Sequence, residues 1–169
     1  MIFKKNIFSN DECQKIINYT NNGLNPCRYT INAPIKPQCF ELTYNDITKW
    51  IYDKIYNTFN ELIGIEYYDV KVPFSILKYN EGFELEYHVH KTVQKPNTKW
   101  IVAVLLNDDF KGGEHICYDE DNNKINFDFN IGDVVFYESF IPHEVTTIFE
   151  GVRWSMVREI EITKKNYLI

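Results

Sequence analysis

A chain of 169 residues, 44% hydrophobic and 16% aromatic, is sized for one domain, burying roughly 70% of the surface of its unfolded form. Its 18 basic and 24 acidic residues give a net charge of −6, which disfavours nucleic-acid binding, a role that needs a basic face. With only 7 Gly and 6 Pro, disordered and fibrous classes are excluded as well. The N-terminal MIFKKNIFSND carries Lys4, Lys5 and Asp11 where a secretory signal needs an apolar core, so no signal is read there. Ser9 or Asn10 can cap a helix beginning near Asp11, with Glu12 in its first turn and Cys13, Ile16 and Ile17 as its apolar stripe. Thr20-Asn21-Asn22-Gly23 punctuates its end. Residues 24–45, with Pro26, Pro34 and Pro37, read as loop and short strand. A second helix is predicted from about Asp46 to Ile63, where Ile47, Trp50, Ile51, Ile55, Phe59 and Leu62 keep helical spacing and Gly64 closes it.

From Tyr67 onward the period becomes two. Segments near 67–79, 83–90, 99–107, 113–118, 124–128, 133–138, 143–149 and 152–163 are short, rich in β-branched and aromatic residues, and bounded by turn residues. The expectation is an α+β chain, mainly β, with a helical N-terminal part (1–66) packed on a β core (67–163), all in the single domain 1–169. The longest apolar run, Trp100 to Leu106, is far too short to span a membrane. Cys13, Cys27, Cys39 and Cys117 form no CxxC pair, which suggests reduced thiols and a cytoplasmic protein rather than a zinc knuckle.

Any role for an imidazole or a guanidinium must be filled from His88, His90, His115, His143, Arg28, Arg153 and Arg158. On a strand running to His90, Glu84, Glu86, His88 and His90 share one face, and two imidazoles two residues apart lie about 6–7 Å from each other at Cα. A metal can bridge them if a third ligand arrives from another strand, and His143, in Pro142-His143-Glu144, is the candidate. Ten residues on, Arg153 and Ser155 share a strand face in Gly151-Val-Arg153-Trp-Ser155. Facing inward, that guanidinium needs an anionic partner. The pattern is three imidazoles with an anion pocket beside them.

The order and spacing of these motifs resemble the 2-oxoglutarate/Fe(II)-dependent oxygenases, in particular the prolyl-4-hydroxylase-like branch. Tyr79, Gly82, Leu85 and His88 match the family's first metal strand. Asn107-Asp108-Asp109-Phe110-Lys111-Gly112-Gly113-Glu114 matches its Gly-Gly-Glu turn, and Gly132-Asp133-Val134-Val135-Phe136 its Gly-Asp strand. His143, Gly151, Arg153 and Ser155 match the distal His and the clamp strand, and Phe8, Ser9, Glu12 and Cys13 the opening helix. The resemblance spans roughly residues 7–160 and implies a double-stranded β-helix (jelly-roll) core. It implies Fe(II), 2-oxoglutarate as cosubstrate and ascorbate as a reductant. It also implies an O2-dependent hydroxylation of a C–H bond, on a prolyl or other peptide side chain or a small molecule, with decarboxylation to succinate. His88 and His143 would be metal ligands, Arg153 the partner of the distal carboxylate of the oxo acid, and Tyr79 and Ser155 hydroxyl donors to it.

The family's aspartate is replaced here by His90. A carboxylate ligand leaves one net negative charge on the Fe(II)–oxo-acid assembly, whereas three neutral imidazoles leave none. Imidazole still binds first-row metals well, but losing the anion weakens retention of Fe(II) against Zn, Ni or Cu. His90 is read as a ligand, with a water or Glu86 as the alternative. His115 stands where the family often has Thr and is left outside the metal set. Two rival readings stay open: a catalytically altered or inactive metal and oxo-acid binder, and a three-His metal enzyme that uses no oxo acid. The rim segments 24–45, 91–99 and 119–131 carry no motif that names a substrate.

Overall fold

A computed structural model describes residues 1–21, 37–90, 98–125 and 127–162. Pro26, Cys27, Arg28, Pro34 and most of the expected rim at 24–45 and 91–99 lie outside the described residues.

Among the described residues the elements run β1 (Ile2–Asn6), α1 (Asn10–Asn21), β2 (Gln38–Leu42), α2 (Lys49–Ile63), β3 (Phe74–Tyr79), β4 (Leu85–His88) and β5 (Thr98–Leu105). They continue with β6 (Phe110–Gly112), β7 (His115–Tyr118), β8 (Lys124–Ile125), β9 (Asp133–Glu138), β10 (His143–Val145), β11 (Ile148–Gly151) and β12 (Arg153–Glu161). A six-stranded sheet of order β1-β9-β5-β12-β3-β2 lies against a four-stranded one of order β4-β10-β7-β8, and β11 pairs with β6. Every pairing is antiparallel. This is the jelly-roll core that the family resemblance implied.

Two-residue alternation divides the large sheet's side chains between two environments. Val102, Val104, Val134, Phe136, Met156 and Ile160 pack with Ile16 of α1 and with Ile51, Ile55 and Phe59 of α2, forming the main core on the helix side. Ile101, Ala103, Val135 and Tyr137 turn the other way and join Cys117 between the sheets. The helices therefore close one face of the large sheet and leave its other face to line the interior.

Helix α1 starts on a capping box: the Glu12 backbone N–H donates to Ser9 Oγ at 3.2 Å, and Glu12 Oε2 accepts from the Ser9 N–H at 2.9 Å. Helix α2 begins three residues later than the periodicity suggests. Asn45 Oδ1 accepts from the backbone N–H groups of Ile47 and Thr48, holding 45–48 as a turn in competition with the helix. Gly64, at φ 74°, ends α2 in the left-handed region that glycine enters at little cost.

Several expectations need correction. The N-terminal part holds, besides its helices and the short strand read within 24–45 and found as β2, an unexpected strand β1, and these two form the edges of the large sheet. The strand expected over 67–79 starts at Phe74, because Asp69 Oδ1 caps the Lys71 N–H in a local turn. The stretch 143–149 divides into β10 and β11, and the extended run to His90 stops at His88. Cys13 and Cys117 are free and buried, but Cys39 is disulfide-bonded. A sequence without a close-spaced pair does not disclose connectivity across loops, so the expectation of reduced thiols fails at Cys39.

Candidate metal centre and anion clamp

Two strands and one bend bring the imidazoles together. His143 on β10 is register partner of His88 on β4, while His90 lies two residues past the end of β4, its N–H held by the Ser139 carbonyl at 3.0 Å. The ring centroids of His88 and His143 are 4.2 Å apart, and His90 is 5.0 Å from each. One nitrogen from each ring falls within 4.8 Å of the others. Glu86, the alternative third ligand, is exposed and outside this group.

The tautomers follow from what the other ring nitrogens face. His88 Nδ1 lies 2.7 Å from the Glu86 carbonyl and His143 Nδ1 3.1 Å from that of Ile141. His90 Nδ1 lies 2.9 Å from Glu159 Oε1. Carbonyls and carboxylates only accept, so each Nδ1 must donate, and each neutral ring turns an unprotonated Nε2 inward. His90 Nε2 and His143 Nε2 are 3.2 Å apart, and His88 Nε2 is buried with no partner among the described residues. Facing lone pairs at that distance repel unless a proton or a metal ion lies between them, and 3.2 Å suits two nitrogens each about 2.1 Å from a shared ion. Burial and the neighbouring imidazoles push His143 far below the ordinary imidazole range. Burial lowers His88 as well. Both rings are thus held in the neutral, ligating form, and the donor set fits a first-row divalent metal.

The residues expected to form an anion clamp stand on β12 and β3. Arg153 and Ser155 are each 1% exposed and face the interior, as does Tyr79, the register partner of Arg153 on β3. The Arg153 guanidinium lies 5.3 Å from the Tyr79 ring centroid. No carboxylate faces it among the described residues; the charges that raise its pKa are the tyrosines Tyr79 and Tyr137, and burial still lowers it. Arg153 Nε and Ser155 Oγ are buried without a hydrogen-bond partner among the described residues. Burial pushes the Tyr79 hydroxyl up to about 12, so it remains a donor. A buried guanidinium and two hydroxyls lacking an anion fit a carboxylate ligand. Gly113 makes room for the clamp: a Cβ there would come 2.9 Å from Arg153 Cδ and 2.4 Å from Ile148 Cδ1.

Two residues that the sequence did not place in the site belong to its surroundings. His115 turns inward beside Phe127, Phe129 and Tyr137. Its ring centroid is 5.7 Å from that of His143, and burial with the Arg153 charge nearby lowers it to about 3. Glu159, on β12, is the carboxylate behind His90. Its signal was present, since alternation from Arg153 through Ser155 and Val157 reaches Glu159 on the same face. A groove of about 1090 Å³, lined in part by Tyr87, Tyr118, Phe140 and Pro142, involves none of the three imidazoles.

Residues 74–158 match the sequence profile of the 2OG-Fe(II) oxygenase superfamily. Among solved structures, an oxidoreductase of the 2OG-Fe(II) oxygenase family from Burkholderia pseudomallei aligns with a TM-score of 0.73 and 14% identity over 94% of this chain and 84% of its own. A Pseudomonas putida prolyl-4-hydroxylase gives 0.72 and 16% over 96% and 92%. The viral collagen prolyl hydroxylase of Paramecium Bursaria Chlorella virus-1, in its 2OG complex, gives 0.69 and 16% over 96% of both chains. No curated protein sequence is significantly similar to the chain. The structural likenesses establish the fold, and the profile match covers half of the sequence: the chain belongs to the 2OG-Fe(II) oxygenase superfamily.

Proposed function

We propose that the chain is a dioxygenase hydroxylating a C–H bond of a prolyl or other peptide side chain, or of a small molecule. His88, His90 and His143 would hold Fe(II), and Arg153, Tyr79 and Ser155 the distal carboxylate of 2-oxoglutarate. The observation that carries this reading is Arg153, a fully buried guanidinium with no carboxylate opposite it among the described residues. Bound Fe(II) with 2-oxoglutarate supplies the oxidising power, consuming O2 and releasing succinate and CO2, with ascorbate as a supporting reductant. The protein's own part is orientation. Arg153 offers a two-pronged match to a carboxylate, and Ser155 and Tyr79 supply hydroxyl donors beside it. The apolar neighbours Leu77, Val145 and Ile148 keep water from competing for those donors. Residues 1–169 are taken as one domain, since β1 and β2 share the sheet of β12. No helix among the described residues is long and apolar enough to cross a membrane.

Succinate and CO2 release with Fe(II), 2-oxoglutarate and O2 tests the activity, and anaerobic addition of the oxo acid to the Fe(II) form tests the chelate by its visible charge-transfer band. The band and succinate together are expected, and absence of both overturns the reading. One specific observation favours a second reading, an altered or inactive binder: an imidazole stands where the family has a carboxylate. A band without succinate, from every substrate class tried, selects that reading.

A further inference from the structure

We propose that Glu159 is a positioning residue for His90, returning to the metal centre, one atom shell further out, the negative charge that an aspartate ligand would have supplied. The inference rests on the reading of His90 as a ligand. His88 and His143 are steadied through Nδ1 by neutral backbone carbonyls of their own strand neighbourhood. His90 sits past the end of β4, and its Nδ1 is held by a carboxylate 69 residues away in sequence, at 2.9 Å. The pair is sheltered, with side chains 21% and 26% exposed, so solvent screens the contact only in part.

The chemistry of that contact has two consequences. An ionised carboxylate only accepts, so it selects the Nδ1–H tautomer and leaves Nε2 as the ligating lone pair. It also makes the imidazole a stronger donor to a metal, as carboxylate–histidine–metal arrangements do. Glu159 reaches His90 because it lies on the interior face of β12, six residues beyond Arg153, with Ile101 of β5 as its register partner. One strand thereby carries the anion clamp at one end and the support for the unusual ligand at the other.

The test uses the full chain with Glu159→Val, Glu159→Gln and His90→Ala. In the metal-free protein labelled with ¹⁵N-histidine, the ring nitrogen shifts of wild type are expected to show His90 protonated at Nδ1. Glu159→Val should move it toward the Nε2–H form that free imidazole prefers, whereas Glu159→Gln, which keeps an acceptor oxygen, should hold it. Fe(II) affinity under anaerobic chelator competition should fall about 10- to 100-fold in Glu159→Val and by an intermediate factor in Glu159→Gln. An unchanged tautomer and affinity in Glu159→Val, with affinity lost in His90→Ala, overturns the role of Glu159 alone. Unchanged affinity in His90→Ala overturns the ligand reading beneath it. Should Glu159→Val fail to fold, Glu159→Gln decides: a weakened affinity with the tautomer kept supports the charge role, and an unaltered affinity rejects it.

Discussion

Strand β12 carries two buried arginines five residues apart on opposite faces. Arg158 faces the helices, where its guanidinium meets Asp69 Oδ2 at 2.6 Å and the Asp69 carbonyl at 2.9 Å, beneath the rings of Tyr56 and Phe74. Arg153 faces the interior and meets tyrosines but no carboxylate among the described residues. Both pay the desolvation penalty of a buried cation, yet only Arg158 has its counter-charge supplied by the chain. In a folded protein such a penalty is tolerated where something offsets it. For Arg158 that is Asp69; for Arg153, on the proposed function, it would be the carboxylate of the oxo acid. Burial alone does not separate a structural arginine from a binding one. The identity of the opposite charge does.

Arg153→Met gives the sharpest contrast. It should weaken 2-oxoglutarate binding by about 3 to 4 kcal/mol, a few hundredfold, the scale of a two-pronged charged contact, while thermal stability holds or rises. A titration showing unchanged affinity would remove the clamp reading. Arg158→Met should do the reverse: a loss of roughly 3 kcal/mol of stability, because Asp69 loses its partner, with 2-oxoglutarate affinity kept. Urea unfolding of the two variants side by side would abolish the comparison if their stabilities fell equally.

The interior face also predicts a pH dependence. His143 and His115 are held below the ordinary 6.5 of imidazole by burial, His115 at about 3, so the unfolded chain takes up protons that the native chain refuses. Stability of the metal-free protein is therefore fullest above pH 6.5 and falls as the pH drops toward the native values. Between pH 6.5 and 5.5 the loss is about 1 kcal/mol for each ring, measurable by denaturant titration at the two pH values; a flat profile would mean the rings are already charged in the fold. The smallest effect belongs to Ser155→Ala. Removing one hydroxyl donor should raise KM for 2-oxoglutarate about fivefold, roughly 1 kcal/mol, and leave kcat unchanged in steady-state kinetics.

The legible parts of the molecule were those whose signal is local. The Ser9–Glu12 box marks the start of α1, and two-residue alternation places Arg153 and Ser155 together. Strand β1 escaped because Ile2-Phe3-Lys4-Lys5-Asn6 does not alternate; at a sheet edge it is recruited by pairing with β9 rather than by its own pattern. The start of α2 escaped because a single Asn side chain competes with the first turn. Convergence of His88, His90 and His143 could be proposed from motif spacing, but the bend that delivers His90 could not. Asp69 behind Arg158 and Glu159 behind His90 are contacts 89 and 69 residues apart in sequence; alternation puts Glu159 on the interior face, but periodicity does not name the partner met at that range.

Strand β12 has one further consequence. Its nine residues run between two neighbours in the middle of the largest sheet, pairing with β3 over Arg153–Val157 and with β5 over Ser155–Glu161, whereas His88 and His143 ride on strands of four and three residues in the smaller one. Amide hydrogens of β12 should thus exchange only through global unfolding, and those around the imidazoles through local opening of far lower free energy. On the proposed function, the ion's seat would breathe, admitting or losing its occupant, while the carboxylate's seat would stay assembled.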